Sequence, residues 1–323
     1  MFSTLKSVTK VVFLDAATMA GTDLSPLQFA DVSLTLYPQT SAEQLLNHAS
    51  GAEVLISNKV PLDAKAIAAL PELRCILVAA TGVNMVDLAA AKAAGIVVCN
   101  AQGYAGTAVP QQVFALLLQL TNHIQSYHQA VQQGVWSQSP LFCLHLQPIE
   151  ELAGKTMTLL GYGDLGQATA RLAEAFGMKV LIAERHDATE IRTGRTAFEA
   201  ALRQADVLSL HCPLTDSTAK LINAKTSSWM KPSALLINTA RGGLIDETAL
   251  AEALTNGTLA GAALDVLSTE PPAVDHPLLH SDLPNLLITP HVAWASRQAI
   301  QRLVVQLSEN LRAFMEQQPI RQV

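Results

Sequence analysis

The segment Gly161-Tyr162-Gly163-Asp164-Leu165-Gly166 is the strongest structural signal in this sequence. Its G-x-G-x-x-G pattern suits a tight turn, a close approach of backbone to a pyrophosphate, and close packing of a helix on a strand. The short apolar run Thr156–Leu160 precedes it, and the helix-like stretch Gln167–Phe176 follows it. A strand, a glycine turn and a helix N-terminus in this order predict a site for the phosphates of a dinucleotide.

Further apolar runs of strand length follow this segment, and stretches of helix length separate them. These runs are Lys179–Ala183, Asp206–Leu210, Ala234–Ile237, Ala262–Val266 and Leu286–Thr289. With the run before the glycines they make six strands, the number in a complete dinucleotide-binding sheet. Continuous runs of Val, Ile and Leu are typical of parallel strands that helices cover on both faces. A single α/β barrel is the alternative, but it would need eight evenly spaced βα units.

The first hundred residues show the same alternation of strand-length apolar runs and helix-length stretches, which predicts a second parallel sheet. Its strands are expected at Val11–Leu14, Glu53–Ile56, Cys75–Ala79 and Ile96–Cys99. One long apolar helix is expected from Val109 to Gln133, and one amphipathic helix from Ser296 to Gln317. The sequence therefore predicts an α/β protein with two doubly wound parallel sheets.

Composition limits the class of protein. A length of 323 residues predicts two domains, and 50% hydrophobic with 15% charged residues excludes a disordered chain. No apolar stretch reaches the roughly 18 residues of a membrane span. A net charge of −6 without any Lys/Arg block argues against nucleic acid and membranes as partners.

The cysteines and histidines predict neither disulfides nor a metal site. The four cysteines are scattered without a C-x-x-C pair, which is typical of reduced thiols in a cytoplasmic protein. His276 and His280 have the spacing of a zinc pair, but Pro277 lies between them and the glutamate of an H-E-x-x-H motif does not. We therefore expect a cytoplasmic protein without a bound metal.

Glu184 follows the strand after the glycine turn and bears on the choice of cofactor. It lies eighteen residues after Gly166, close to the usual spacing of a carboxylate that binds the ribose 2′-hydroxyl. Such a carboxylate would repel a 2′-phosphate, so Glu184 predicts NAD rather than NADP. Arg185 weakens this prediction because an adjacent arginine can accommodate that phosphate.

The carboxyl ends of the predicted strands carry an unusual set of side chains. Ligands of open α/β sheets bind beyond these ends. In chain order the ends read His211-Cys212-Pro213, Asn238 to Gly243 with Arg241 inside, Asp265 followed by Glu270, and Thr289-Pro290-His291. The sheet thus brings an arginine, a glutamate, a histidine and an aspartate to one edge, beside a nucleotide.

This set of side chains is suited to hydride transfer to a carbonyl. Arg241 would bind a substrate carboxylate through its planar guanidinium and polarise the neighbouring keto oxygen. His291 would donate the proton, and Glu270 would orient its ring and favour its protonated form. Asp265 would accept a hydrogen bond from the nicotinamide carboxamide. Taken singly, each residue also has a purely structural interpretation.

At these residues the chain resembles the D-isomer-specific 2-hydroxyacid dehydrogenases over nearly its whole length. The resemblance implies Arg241, Glu270 and His291 as catalytic residues. It implies a flavodoxin-like substrate domain (1–102 and 292–323) into which a Rossmann NAD-binding domain (103–291) is inserted, closing on the substrate by hinge motion. Cofactor contacts are implied for the three glycines and for Asp164, Leu165, Glu184, His211, Pro213, Thr239, Ala240, Arg241, Asp265 and Thr107. Members of the family are typically homodimers.

Within this family, several local strings are similar to the glycerate dehydrogenase (hydroxypyruvate reductase) branch. They are 57–60, 80–84, 136–140 and 291–296. This similarity implies a small anionic 2-keto acid as substrate, hydroxypyruvate or glyoxylate, reduced to D-glycerate or glycolate with NADH. Candidate substrate contacts are the backbone of Thr81, Gly82 and Val83, together with Arg241, His291 and Trp294. One departure is Glu184, which stands where most members carry aspartate.

Three alternatives remain open. The substrate of the same chemistry could be D-lactate or D-3-phosphoglycerate, although the presumed substrate loops carry few cationic residues. A protein of a different class, which senses NAD without catalysis, would not need Arg241, Glu270 and His291 together. Formate dehydrogenases carry glutamine where this chain has Glu270, which disfavours that activity.

Overall fold

The computed structural model describes residues 8–280 and 283–323, and for residue 280 it describes the backbone alone. The chain forms two compact units. The first runs up to Ala105 and resumes at Ala295–Val323, and the second is the intervening Gly106–Trp294. The second unit is therefore an insertion in the first.

The described part of the first unit contains one parallel sheet in the order β2-β1-β3-β4-β5. Its strands are β1 (Thr9–Phe13), β2 (Val32–Leu36), β3 (Val54–Ser57), β4 (Cys75–Val78) and β5 (Val97–Cys99). This is the flavodoxin-like strand order. Its helices are α1 (Leu45–His48), α2 (Ala64–Ala68), α3 (Leu88–Ala93) and the long α11 (Arg297–Met315), which packs against β4.

The second unit contains a six-stranded parallel sheet in the order β11-β10-β9-β8-β6-β7 over its described residues. Its strands are β6 (Thr156–Leu160), β7 (Lys179–Ile182), β8 (Val207–Leu210), β9 (Leu235–Asn238), β10 (Gly261–Leu264) and β11 (Leu286–Ile288). A single parallel bridge from Ala183 to Thr196 extends the edge beyond β7. The order reverses between β6 and β8, where an open sheet of this type binds its ligand.

Helices cover both faces of the second sheet. They are α4 (Ala108–Asn122), α5 (Ile124–Gln132), α6 (Asp164–Ala175), α7 (Phe198–Gln204), α8 (Ala224–Ser227), α9 (Glu247–Thr255) and α10 (Pro277–His280). One face buries Val113 and Leu117 of α4 with Ala173 of α6. The other face buries Leu202 of α7 and Leu254 of α9. The predicted fold class, two doubly wound parallel sheets, is confirmed.

Two elements differ from the sequence-based prediction. Strand β2 was not expected because it lies at the sheet edge, where its apolar residues alternate with Ser33 and Thr35 instead of forming a continuous apolar run. The single helix expected from Val109 to Gln133 is two helices, because His123 adopts a left-handed backbone conformation (φ 52°) between α4 and α5. A left-handed residue ends a helix by redirecting the chain.

The helices do not include a membrane-spanning candidate. Over the part of the chain that the structure describes, none is both long enough and apolar enough to cross a bilayer.

Candidate functional site

The glycine turn after β6 lies directly against the chain that leaves β8. Gly161 has a left-handed backbone (φ 98°), and a Cβ there would lie 2.6 Å from the backbone of both His211 and Cys212. A Cβ at Gly166 would in turn overlap the carbonyl oxygen of Gly161. Gly161 and Gly166 are thus required by close backbone contact, as the motif predicts.

The space beside Gly163 is open and faces the start of α6. A Cβ built on Gly163 would meet no atom within 4 Å, and the residue occupies the N-cap position of α6. Asp164 and Leu165 begin the helix there. The helix N-terminus offers N–H groups and a favourable dipole to an anion.

Thr239 supplies a second sign of a bound group. Its Oγ1 is the buried side-chain N or O atom, among the described residues, that lacks a hydrogen-bond partner. Buried hydroxyls are normally paired, so an unpaired one at a strand end indicates a position where a ligand atom can form a hydrogen bond. The open glycine turn and this hydroxyl fit a dinucleotide that extends along the carboxyl edge of the sheet.

Asn238 shapes the turn that carries Arg241. Its Oδ1 accepts from the N–H of Ala240 (3.0 Å), and its Nδ2 donates to the carbonyl oxygen of Arg241 (2.8 Å). The side chain is fully buried at the end of β9. Asn238 therefore fixes the backbone of residues 239–241, and Arg241 begins a short 3-10 helix at Gly242–Leu244.

The Arg241 turn lies against the loop that carries Glu270. A Cβ at Gly242 would overlap the backbone of Leu267, so only glycine permits this approach. Glu247, in the first turn of α9, accepts from both the N–H (2.7 Å) and the hydroxyl of Ser268. The Arg241 and Glu270 loops are thus joined by backbone contact and by Glu247.

Glu270 and His291 form a direct pair. His291 Nδ1 lies 2.5 Å from Glu270 Oε2, and Glu270 Oε1 accepts from the N–H of Leu267 (3.0 Å). Both side chains are partly exposed. With Nδ1 on the carboxylate, Nε2 is the ring nitrogen that can act on a ligand. This is the geometry of a histidine acid–base group oriented by a carboxylate.

Asp265 holds the segment on which His291 stands. Its Oδ1 accepts from Thr289 Oγ1 and from the N–H of Val292 (3.0 Å), and its Oδ2 accepts from the N–H of Ala293 (2.7 Å). His291 itself has a left-handed backbone (φ 55°), and its N–H donates to the carbonyl oxygen of Asp265 (2.7 Å). Such a conformation costs free energy and is maintained by its surroundings. Burial raises the pKa of Asp265, and the three donors oppose this rise.

Asp265 was expected to contact the nicotinamide carboxamide. The structure shows its carboxylate almost fully buried, with bonds to the segment that carries His291. The expected cofactor contact stays a prediction.

The setting of Glu184 differs from the expected one. Its side chain is 1% exposed, and its two oxygens accept from the N–H of Arg185 and from the backbone and guanidinium of Arg192. These bonds hold the pKa of Glu184 well below its usual value. A carboxylate that is engaged by arginine in this way is not presented to a ribose hydroxyl.

His211 is a neutral residue behind the glycine turn. Its Nε2 lies 2.9 Å from the hydroxyl of Ser209, and burial lowers the pKa of His211 to about 4. It is therefore uncharged near neutral pH and supports the turn mainly through its backbone contact with Gly161.

The remaining predicted residues occupy loops in both units. Pro213 is exposed after β8, Thr107 caps α4, and Trp294 is half-buried three residues after His291. Thr81, Gly82 and Val83 lie in the first unit after β4, where Asn100 Nδ2 donates to the carbonyl oxygen of Thr81 (2.8 Å). The second unit by itself brings together Arg241, Glu270 and His291.

Sequence reasoning missed Asn238 and Glu247 as supporting residues. An asparagine that follows a strand commonly bonds to backbone two residues onward, so the order Asn238-Thr239-Ala240 could have indicated the turn. Glu247 accepts bonds from a loop 21 residues distant, and no local pattern indicates such a partner.

Comparison with known proteins decides the family. Residues 114–293 match the model described as D-isomer specific 2-hydroxyacid dehydrogenase, NAD binding domain. The chain belongs to the D-isomer-specific 2-hydroxyacid dehydrogenase family. A glycerate dehydrogenase of Methylorubrum extorquens is 44% identical to it over 313 residues, which is 96% of this chain and 97% of that protein.

One further relative and one solved structure extend the comparison. A hydroxypyruvate reductase of Blautia hydrogenotrophica is 38% identical over 284 residues, 87% of this chain and 88% of that protein. A solved structure from Thermus thermophilus has a TM-score of 0.86 and 34% identity, and covers 98% of this chain and 100% of its own. This 2-hydroxyacid dehydrogenase is thus an enzyme that binds a nicotinamide dinucleotide, as the resemblance predicted.

Proposed function

We propose that this dehydrogenase reduces hydroxypyruvate and glyoxylate to D-glycerate and glycolate. The single observation that supports it most is the His291–Glu270 pair (2.5 Å), held on loops that also fix the turn of Arg241. The substrate class follows from relatives named glycerate dehydrogenase and hydroxypyruvate reductase. The inserted unit would bind the dinucleotide, and the first unit would contribute the substrate domain.

His291 would act as the general acid. Its protonated Nε2 would give a proton to the keto oxygen while the Glu270 carboxylate stabilises the positive charge on the ring. In the reverse direction the same nitrogen would take the proton from the hydroxyl group. The left-handed backbone and the Asp265 bonds would keep the ring in one place during both steps.

Arg241 would bind the substrate carboxylate and polarise the adjacent carbonyl. Its Nη1 donates to the carbonyl oxygen of Ala240 (2.7 Å), which uses one of five N–H donors. A planar guanidinium can offer two parallel donors to a carboxylate. The backbone N–H groups of 81–83 and the ring of Trp294 are our further candidates for substrate contact.

A bound reduced nicotinamide would supply the hydride for this reaction. The glycine turn, the N-terminus of α6 and the hydroxyl of Thr239 are the groups that would hold the dinucleotide.

A substrate comparison tests this proposal. Initial rates of reduced-cofactor oxidation would be measured with hydroxypyruvate, glyoxylate, pyruvate and 3-phosphohydroxypyruvate, with the chirality of the product determined separately. We expect kcat/KM for hydroxypyruvate to exceed those for pyruvate and the phosphorylated acid by at least tenfold. A higher value with either of the latter two, or formation of L-glycerate, would refute it.

We also propose that the enzyme is a homodimer, joined through the segment 135–149. This segment exposes several large apolar side chains of the second unit, namely Trp136, Leu141, Phe142 (91% exposed), Leu146 and Ile149. A contiguous exposed apolar patch is typical of an interface. Light scattering should give about twice the mass of one chain, and Phe142→Asp should lower it. Val274→Asp, at another exposed apolar position, is the matched control.

A further inference from the structure

The segment that follows β7 carries three arginines around one buried carboxylate. Arg185, Arg192 and Arg195 all lie within eleven residues of Glu184, at the carboxyl edge next to the strand that leads into the glycine turn. In sheets of this type the ribose of the adenosine half is bound at this position. The charges here therefore determine whether that ribose can carry a phosphate.

Glu184 has no acceptor position to offer a ribose. Its Oε1 accepts from Arg185 N (2.8 Å) and Arg192 Nη2, and its Oε2 accepts from Arg192 N (3.2 Å) and Arg192 Nε (2.8 Å). A carboxylate has about four acceptor positions, so these four donors fill it. Arg195 Nε lies a further 4.0 Å from Oε2. The negative charge that would repel a phosphate is thereby buried and paired.

Two of the three arginines, by contrast, are largely exposed, whereas Arg195 is 21% exposed. The side chains of Arg185 and Arg192 are 71% and 58% exposed, whereas that of Glu184 is 1% exposed. Arg192 uses Nε and Nη2 of its guanidinium on Glu184, and this bidentate pair fixes its plane. Arg185 Nε contacts Asp187 (3.2 Å) in a solvent-exposed pair, which salt and competing anions weaken.

We propose that this segment is a binding site for the ribose 2′-phosphate of NADP(H), with Arg185 and Arg192 as its ligands. Glu184 is then a positioning residue that holds Arg192, and not a discriminator against the phosphate. This inference rests on the proposed function and replaces the preference for NAD that the sequence had predicted from Glu184. Arginine suits the role because its fork of donors matches the oxygens of a phosphate.

A pair of nucleotides that differ only in the 2′-phosphate isolates this contact. Calorimetric titration of the intact enzyme with adenosine 2′,5′-bisphosphate and with 5′-AMP needs no catalytic turnover. We expect the bisphosphate to bind at least threefold more tightly, and kcat/KM for NADPH to equal or exceed that for NADH. A smaller difference in binding, or a lower kcat/KM for NADPH, would overturn the proposal.

Arginine substitutions assign the difference to residues. Arg185→Ala and Arg192→Ala should each remove most of the advantage of the bisphosphate while 5′-AMP binding changes less than threefold. Arg203→Ala is the matched control, because Arg203 is an exposed, ion-paired arginine near the C-terminal end of α7, toward the opposite edge of the sheet. An advantage that survives in both test variants would contradict the assignment.

The two variants differ in their risk to the fold. Arg192→Ala leaves Glu184 buried without its guanidinium, whereas Arg185→Ala removes only an exposed side chain. Arg185→Ala therefore remains informative if the other variant is unstable. If the enzyme reduced none of the 2-keto acids with either cofactor, the proposed function would fail while the nucleotide titrations still tested this site.

Discussion

Replacing Asp265 by asparagine would test whether the position of His291 depends on a buried carboxylate. Asparagine can keep the two acceptor bonds of Oδ1, to Thr289 and Val292, but then directs an amide NH₂ at the N–H of Ala293. One bond to a charged acceptor is lost, and a buried N–H is left without a partner. Because bonds to charged groups contribute about 1.5–3 kcal/mol, we expect a total loss of about 3 kcal/mol.

The loss should be visible in both stability and turnover. For a unit of this size, 3 kcal/mol corresponds to about 6–12 °C in Tm, which calorimetry would measure. The loop that bears His291 should also shift, and a displacement of about 1 Å is enough to lower kcat about 100-fold. Turnover would be measured at 25 °C, where the variant remains folded.

Asp206→Asn provides the matched control. Asp206 also accepts from a backbone N–H, that of Thr156 (2.8 Å), and from Lys231 (2.7 Å), but it lies where β8 begins, at the opposite edge of the sheet. This variant should lose stability and retain kcat. If Asp265→Asn instead kept its Tm and its kcat and only raised the KM for the cofactor, Asp265 would be a cofactor contact and our reasoning would be refuted.

Three further substitutions address the remaining groups. His291→Asn should lower kcat by about 10²–10⁴-fold without changing Tm by more than a few degrees, and near-normal turnover would exclude His291 as the acid. Arg241→Lys should raise the KM for hydroxypyruvate more than that for the cofactor, because one ammonium cannot replace a two-pronged contact. Equal changes of the two KM values in steady-state kinetics would contradict this role of Arg241. The lowered pKa of Glu184 means that its charge stabilises the folded state above about pH 4.5 and that this stabilisation is lost as the pH falls below it. Glu184→Gln should therefore reduce Tm at pH 7. Melting curves at successively lower pH should show the Tm of the variant and that of the unsubstituted protein converging.

Much of the fold could be predicted because its signals are local. The six strands of the second unit were placed within two residues of their positions, since each is a continuous apolar run between a turn and a helix. Strand β2 and the break at His123 could not be predicted in the same way. An edge strand has one neighbour and needs no continuous apolar run, and a left-handed residue other than glycine gives little local signal.

The site was predictable in its reacting groups and less so in their supports. Arg241, Glu270 and His291 follow strand ends, and parallel topology brings such positions to one edge. The partners of Glu184 were not predictable, because spacing locates its backbone and not the direction of its carboxylate. Arg192 binds it from eight residues away, across a loop without a regular pattern.

The insertion of one unit into the other has a consequence for synthesis on the ribosome. The strands β1 to β5 are translated before the inserted unit, but the helix α11 that packs on β4, with Leu303, Leu307 and Leu311 fully buried, is translated after it. Strand β5 likewise gains its hydrogen bond to Val323 only after the inserted unit is made. The N–H of Val323 donates to the carbonyl oxygen of Val98 (3.0 Å). The first unit is therefore the one whose core closes second, after the inserted unit has already been able to fold.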